Sequence, residues 1–262
     1  MSIFTRARGE APSVPVLNVA VDVGEGPVVV LLHGIASSSA SWRSLVPLLS
    51  PLYRVIAIDV LGFGGSRAAE GIGFTLDEHV EALHKTIRAL RLRGRFTLVG
   101  HSLGALIASR YAAVHRRSLE QLVLVAPPIY PHRRYIDELG HRLRVGGYLW
   151  FYRLVRGNKL TVINGAVRMS RWLPNGGLKI DETTWAAFSR SMEQCIESQT
   201  TTTDIAQVSV PIDIVYGSRD QVIVPAGIER LGAMHHVQLH EVPKADHLIR
   251  VPLAREIARV IR

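Results

Sequence analysis

Five short apolar segments, rich in β-branched residues, alternate along the chain with segments of helical periodicity. They span residues 28–32, 54–59, 96–99, 122–125 and 212–216. Strands that are apolar along their whole length are typical of parallel sheets that helices cover on both faces. The alternation therefore predicts an α/β fold with a doubly wound, mostly parallel sheet and right-handed crossovers.

Two local patterns refine this prediction. Thr75 and Glu78 have the spacing of a capping box and precede apolar residues at helical intervals, so a helix begins there and packs on the sheet. We expect His79 and His84, on the same helix, to face solvent. Near the N-terminus, two strand-like runs within residues 14–23 precede a glycine-rich turn, and they predict a hairpin.

The alternation stops after Pro127-Pro128 and resumes near residue 206. Residues 129–205 show helical patterning without an obvious parallel strand. We therefore predict one core domain, formed by residues 1–128 and 206–262, with a helical lid at 129–205. An aromatic stripe within residues 143–155 is interpreted as the underside of this lid, in preference to a helix on a membrane surface.

Charge is concentrated in the same region. The formal net charge is +9, and residues 129–171 contain nine Lys or Arg residues against two acidic ones. No zinc-finger, RNA-recognition or helix-turn-helix pattern accompanies them, so a solvated arginine-rich face is favoured and no nucleic-acid partner is expected. An alternative interpretation of this charge is a protein that binds anionic partners through its basic lid.

Few residues in the sequence could hold a metal or form a disulfide. Cys195 is the single cysteine, which excludes an internal disulfide and a cysteine metal cluster. His236 and His240 would lie about 13 Å apart on a strand, too far to share an ion, so no metal is predicted at these residues or at His235. The chain shows no signal-peptide pattern and no apolar run of membrane-spanning length. We expect a cytoplasmic protein without stable membrane insertion, and its oligomeric state is open.

The pattern Gly100-His101-Ser102-Leu103-Gly104 lies between a strand of the buried type and a predicted helix at 104–115. In this setting the glycines permit a tight turn that presents the serine to a cleft. A serine hydroxyl is a weak nucleophile. It requires a base within hydrogen-bond distance, a carboxylate that orients the base, and donors for the developing oxyanion.

The base and the acid are predicted from their positions after the last two strands. His247 lies in the loop before the final helix and is the candidate base. Asp246 is adjacent to it, but neighbouring residues seldom direct their side chains at each other. Asp220 follows the strand at 212–216 and gives the chain order Ser, Asp, His, so it is the preferred acid.

The oxyanion donors are predicted to be backbone N–H groups. The sequence His33-Gly34-Ile35-Ala36 follows the first apolar strand, and the glycine allows an N–H group to turn towards the serine. We assign the donors to Ile35 and Leu103, with Ala36 as the near alternative to Ile35. The same two residues, with unidentified lid residues, are expected to contact the substrate.

These motifs together resemble the signature of lid-bearing serine esterases of the α/β-hydrolase fold family. The resemblance rests on His33-Gly34, the stretch 59–66, residues 100–104, Asp220 and His247, and it spans nearly the whole chain. It implies that Asp59, His33 and His101 belong to the scaffold. Haloalkane dehalogenases and epoxide hydrolases are related in fold, but they use a carboxylate where Ser102 stands.

The predicted function is hydrolysis of a small-molecule carboxylic ester, with an apolar acyl group, through an acyl-enzyme on Ser102. No cofactor is required. The same residues could act on a lactone, an amide or a carbon–carbon bond. A ligand-binding protein that has kept these residues but lost turnover is a further alternative, since a fold alone does not establish activity.

Overall fold

The computed structural model describes residues 13–130, 147, 150, 153–172 and 179–262. Within them, seven strands form one sheet in the order β1-β3-β2-β4-β5-β6-β7. β1 runs antiparallel to β3, and the remaining neighbours are parallel. The predicted mostly parallel α/β sheet is therefore confirmed. The strands are β1 (Val19–Val23), β2 (Val28–Leu32), β3 (Arg54–Ile58), β4 (Phe96–His101), β5 (Leu119–Val125), β6 (Ile212–Gly217) and β7 (Val237–Val242).

Helices connect the strands. They are α1 (Val46–Leu49), α2 (Leu76–Ala89), α3 (Leu103–Val114), α4 (Lys159–Trp172), α5 (Trp185–Ser191), α6 (Thr201–Ala206), α7 (Pro225–Gly232) and α8 (Val251–Val260). A 3-10 helix spans Ser39–Trp42, and a π-helix, Met192–Glu197, continues α5 directly. The predicted capping box at α2 is present: Glu78 N donates to Thr75 Oγ1 at 3.2 Å, and Thr75 N donates to Glu78 Oε2 at 2.8 Å.

The helix α3 lies at the centre of the core. Nearly every side chain along it is buried, because it packs on β4 and β5 and also contacts α2 and α6. A helix that is apolar all round is typical of such a position. The residue that precedes α3 is Ser102, so the candidate nucleophile is held at the end of the most completely packed helix.

The predicted N-terminal hairpin is wrong. Only Val19–Val23 forms a strand, and it pairs with β3 instead of with another strand from residues 14–23. Leu17 N donates to Thr86 Oγ1 on α2 at 2.8 Å, which holds the preceding segment against that helix. Asp22 and Arg54 form two hydrogen bonds, of 2.7 and 2.8 Å, that join the two strands.

The expected exposure of His79 and His84 is also wrong. His79 is 1% exposed, and its Nε2 lies 3.0 Å from the Ser191 hydroxyl at the end of α5. His84 stacks on His115, which follows α3, with ring centroids 4.0 Å apart. The reason is that α2 packs against α3 and is also contacted by the end of α5.

The described residues between β5 and β6 contain helices and no strand, in agreement with the predicted helical insertion. Trp150, from the aromatic stripe, is 65% exposed and so does not pack on the core. Tyr148, Leu149, Phe151 and Tyr152 lie outside the described residues. No helix in the described part of the chain is both long and apolar enough to cross a membrane.

Candidate active site

The turn between β4 and α3 holds Ser102 in an unusual backbone conformation. Its φ is +53° and its ψ is −118°, a region that residues with a side chain seldom adopt. The flanking glycines make the turn possible. A Cβ on Gly100 would overlap the carbonyl oxygen of Gly104, and a Cβ on Gly104 would overlap that of Leu32. The sequence pattern thus produces the strained turn expected of a nucleophile elbow.

The loops after β6 and β7 bring Asp220 and His247 together. His247 Nδ1 lies 2.8 Å from Asp220 Oδ2, and the Asp220 side chain is fully buried. Asp220 Oδ1 also accepts from Val222 N at 2.8 Å, which fixes the carboxylate. Because an ionised carboxylate only accepts hydrogen bonds, this contact favours the tautomer of His247 with its proton on Nδ1, in which Nε2 is the candidate base.

The neighbouring carboxylate of Asp246 faces elsewhere. Its Oδ1 accepts from Leu248 N at 3.0 Å, and its Oδ2 lies 3.3 Å from Arg250. The Asp246 side chain is 47% exposed, in contrast with the buried Asp220. The structure therefore brings Asp220, and not Asp246, to the His247 ring.

His101 connects the serine turn to the loop of His247. Its Nε2 donates to the carbonyl oxygen of His247 at 2.9 Å, and the two rings are 4.9 Å apart at their centroids. Burial lowers the pKa of His101 to about 3, so this imidazole stays neutral. His101 immediately precedes Ser102. The hydrogen bond thus fixes the position of His247 relative to the serine.

The Ser102 hydroxyl has no hydrogen-bond partner among the residues that the structure describes. For Ser102 to act as the predicted nucleophile, the His247 ring would have to approach within hydrogen-bond distance of the hydroxyl. Catalytic hydrogen bonds often shorten in this way when a substrate binds.

The loop after β2 lies against the serine. A Cβ on Gly34 would be 3.0 Å from Ser102 Cβ and 3.1 Å from His101 Nδ1, so glycine allows this loop to lie close against the serine turn. The N–H groups of Ile35, Ala36 and Leu103 donate to no group within the described ranges. Ala36 has a φ of +52°. These N–H groups remain available to an oxyanion, and the choice between Ile35 and Ala36 stays a prediction.

Asp59 is bound on several sides by scaffold groups. Its carboxylate accepts from Ser39 N at 2.7 Å, Ser39 Oγ at 2.8 Å, Gly65 N at 2.7 Å and Asn18 Nδ2 at 2.9 Å. Burial opposes ionisation, but these donors outweigh it and lower the pKa of Asp59. His33 Nε2 accepts from Val60 N at 2.9 Å. Both side chains hold the loops around the site together.

Of the three histidines considered for a metal, His240 binds a carboxylate. Its Nε2 lies 2.7 Å from Asp213 Oδ1, so it links the last two strands. Among the described residues, no group of three or more His, Cys, Asp or Glu side chains could hold an ion.

Sequence reasoning did not find two contacts of the site. One is the hydrogen bond from His101 to the His247 carbonyl oxygen, which joins residues 146 positions apart. The other is a hydrogen bond of 2.8 Å from Lys179 N to Ala36 O, which ties the candidate oxyanion loop to the segment before α5. The one signal in the sequence for the first of these contacts is the position of His101, immediately before Ser102.

Three features together define the class of α/β hydrolases. They are a mostly parallel sheet, a strained serine turn after its central strand, and an Asp–His pair from the loops after the last two strands. The model of one family, described as the alpha/beta hydrolase family, matches residues 29–262. The chain belongs to this family and is a hydrolase.

Two curated relatives align over most of this chain. A 2-hydroxy-6-oxo-6-(2'-aminophenyl)hexa-2,4-dienoic acid hydrolase from Metapseudomonas resinovorans is 30% identical over 222 residues, which cover 78% of this chain and 71% of that protein. A pimeloyl-[acyl-carrier protein] methyl ester esterase from Nitrosomonas europaea is 30% identical over 213 residues, covering 78% and 81%.

A solved structure shares the fold. The esterase EaEST from Exiguobacterium antarcticum superposes with a TM-score of 0.72, at 18% identity, over 94% of this chain and 97% of that one. At this identity the likeness establishes the fold alone.

Proposed function

We propose that the protein hydrolyses carboxylic esters through an acyl-enzyme on Ser102. The observation that carries the proposal is the 2.8 Å contact between His247 Nδ1 and the buried Asp220, joined to the serine turn through His101. This arrangement supplies a nucleophile, a base and an orienting acid in the roles that acyl transfer requires.

The first half of the reaction forms the acyl-enzyme. Ser102 Oγ attacks the ester carbonyl carbon while His247 Nε2 takes the hydroxyl proton. The negative charge on the carbonyl oxygen is bound by the N–H groups of Leu103 and Ile35. The intermediate collapses as the bond to the alcohol breaks, and His247 returns its proton to the departing alkoxide.

The second half releases the acid. A water molecule attacks the acyl carbon, His247 takes one of its protons, and the bond to Ser102 Oγ breaks as that proton passes to the serine. Asp220 stays ionised throughout and stabilises the imidazolium that forms twice in the cycle. These steps require no cofactor.

One of the two relatives supports an ester substrate. The Nitrosomonas relative is a methyl ester esterase, and the Metapseudomonas relative is a hydrolase of a dienoic acid. We propose a small ester with an apolar acyl group, bound under a lid formed by residues 129–205. Hydrolysis of a lactone, an amide or a carbon–carbon bond would use the same three residues. We also propose that the protein acts in the cytoplasm.

Rates of hydrolysis of 4-nitrophenyl esters from acetate to dodecanoate test the proposal, with the Ser102→Ala variant as the matched control. We expect turnover by the wild-type protein, an optimum at one acyl length, and loss of turnover in the variant. Parallel assays with an aryl amide, a lactone and a vinylogous 1,5-diketone test the other bonds. Turnover of one of these substrates without any ester turnover would contradict ester hydrolysis.

A further inference from the structure

Lys179 is anchored beside the candidate oxyanion loop. Its backbone N–H donates to Ala36 O at 2.8 Å, and the residue after it, Ile180, is 4% exposed. Ala36 adjoins Ile35, the candidate donor. The backbone of Lys179 is therefore fixed at the edge of the site, while its own side chain is exposed to solvent.

The loop that Lys179 contacts is the one that touches the nucleophile. A Cβ on Gly34, two residues before Ala36, would be 3.0 Å from Ser102 Cβ. His33 lies at the start of the same loop. Burial lowers the pKa of His33 to about 4, and the positive charge of Lys179 acts in the same direction. The backbone hydrogen bond to Ala36 O holds Lys179 itself beside this loop.

The acidic residues nearest to Lys179 in sequence already have other partners. Asp181 accepts hydrogen bonds from Thr183 and Thr184, and Glu182 forms an ion pair with Lys159. Lys179 has no ion pair within the ranges that the structure describes. A cation that is held beside the candidate oxyanion loop without a counter-ion is suited to bind an anionic group of a ligand.

The charge of the whole chain favours the same kind of ligand. The formal net charge is +9, so the protein attracts anions from solution at moderate ionic strength. A neutral ester is not attracted by this net charge, whereas an ester that carries a carboxylate is attracted to the protein.

We propose that Lys179 binds a carboxylate group of the substrate, and that the natural substrate is an ester carrying this negative charge on its acyl or its alcohol part. This inference rests on the proposed ester hydrolysis and narrows its substrate class. The ammonium group of Lys179 acts on binding and orientation, and it takes no part in proton transfer.

Two matched pairs of substrates test this proposal and locate the carboxylate. Mono-4-nitrophenyl adipate is compared with 4-nitrophenyl hexanoate, which has the same chain length without the acyl-side charge. 4-(Hexanoyloxy)benzoate is compared with phenyl hexanoate for a charge on the alcohol side. We expect the wild-type protein to favour the charged member of one pair by about fivefold in kcat/KM, mostly through KM.

Lys179→Gln is expected to remove this preference and Lys179→Glu to reverse it, whereas Lys179→Arg retains it. Lys85→Gln is the matched control, because it removes one positive charge from α2, where Lys85 pairs with Glu81 of the same helix. In this control, the ratio of kcat/KM for the charged ester to kcat/KM for the uncharged ester should equal that of the wild type. Added salt should reduce the wild-type ratio.

Equal kcat/KM values within both pairs, or a preference that survives Lys179→Gln and Lys179→Glu, would overturn the role of Lys179 and leave ester hydrolysis intact. Absence of turnover with all four esters would instead contradict ester hydrolysis itself. The proposed role of Lys179 would then be contradicted as well. The two failures are therefore distinguishable.

Discussion

His247 Nδ1 lies 2.8 Å from Oδ2 of Asp220, a residue 27 positions earlier in the chain. The carboxylate adjacent to His247 in sequence, that of Asp246, lies against Arg250 instead. The loops after β6 and β7 meet closely enough for this contact because Gly217, at the end of β6, has no side chain. A Cβ there would overlap the carbonyl oxygen of Ala245.

Replacement of the two aspartates should have very different effects. Asp220→Asn would lower kcat by about 10⁴-fold, because His247 would then favour the wrong tautomer and its imidazolium would lose a charged partner. Asp246→Asn should leave kcat within about twofold, since an exposed pair of this kind contributes little. Steady-state kinetics of the two variants measure this. Equal losses would show that the acid is assigned wrongly.

The parallel strands β2 to β6, the helix α2 and the turn at Ser102 could be predicted from the sequence, because each depends on a local pattern. A strand buried on both faces is apolar throughout, and Gly100 and Gly104 are required within two residues of the serine. These signals involve neighbouring residues only. They can therefore be recognised without knowledge of the tertiary structure.

The predictions that are wrong concern features that depend on contacts between residues far apart in the sequence. β1 takes β3 as its partner, although a hairpin would have been local, and His79 is buried by α5, more than 100 residues later. The contacts of His101 and Lys179 are equally distant in sequence. No periodicity within a single helix or strand contains this information.

The close approach of α3 to β2 should make Gly104 sensitive to substitution. Gly104→Ala places a methyl group against the carbonyl oxygens of Leu32 and His33, and we expect a loss of about 1–3 kcal/mol in the free energy of unfolding. Gly165→Ala in α4 is the control, because a Cβ there meets nothing within 4 Å. Urea denaturation should find that variant as stable as the wild type or slightly more stable. Similar stabilities for both variants would contradict the close packing of α3 on β2 at this turn.

Buried neutral histidines should make the fold sensitive to acid. Burial lowers the pKa of His79 to about 4 and that of His101 to about 3, from 6.5. Between pH 6.5 and about 4 the unfolded chain binds protons that the folded chain does not. Stability therefore falls as the pH is lowered, by about 1.4 kcal/mol per pH unit for each such histidine.

The His79→Gln variant isolates one contribution to this acid sensitivity. Its free energy of unfolding should depend less steeply on pH between 6.5 and 4 than that of the wild type, whatever its absolute stability. Urea denaturation at several pH values measures the slope. An unchanged slope would mean that His79 is protonated as readily in the folded chain as in the unfolded one.

His101 is expected to position the base. Because His101→Ala removes the hydrogen bond to the His247 carbonyl oxygen, we expect kcat to fall by about 10- to 100-fold with little change in KM. The pH profile should keep its shape, since His101 is neutral above about pH 4. A shifted acid limb, or kcat within twofold of the wild type, would argue against the positioning role.

Labelling with a fluorophosphonate, followed by digestion and mass spectrometry, tests most directly whether Ser102 is an activated nucleophile. We predict one adduct per chain, located on Ser102, and none on the folded Ser102→Ala variant. Phosphonylation should also abolish ester turnover in proportion to the labelled fraction. A folded wild-type protein that stays unlabelled, or an adduct of equal yield on the Ser102→Ala variant, would contradict the account.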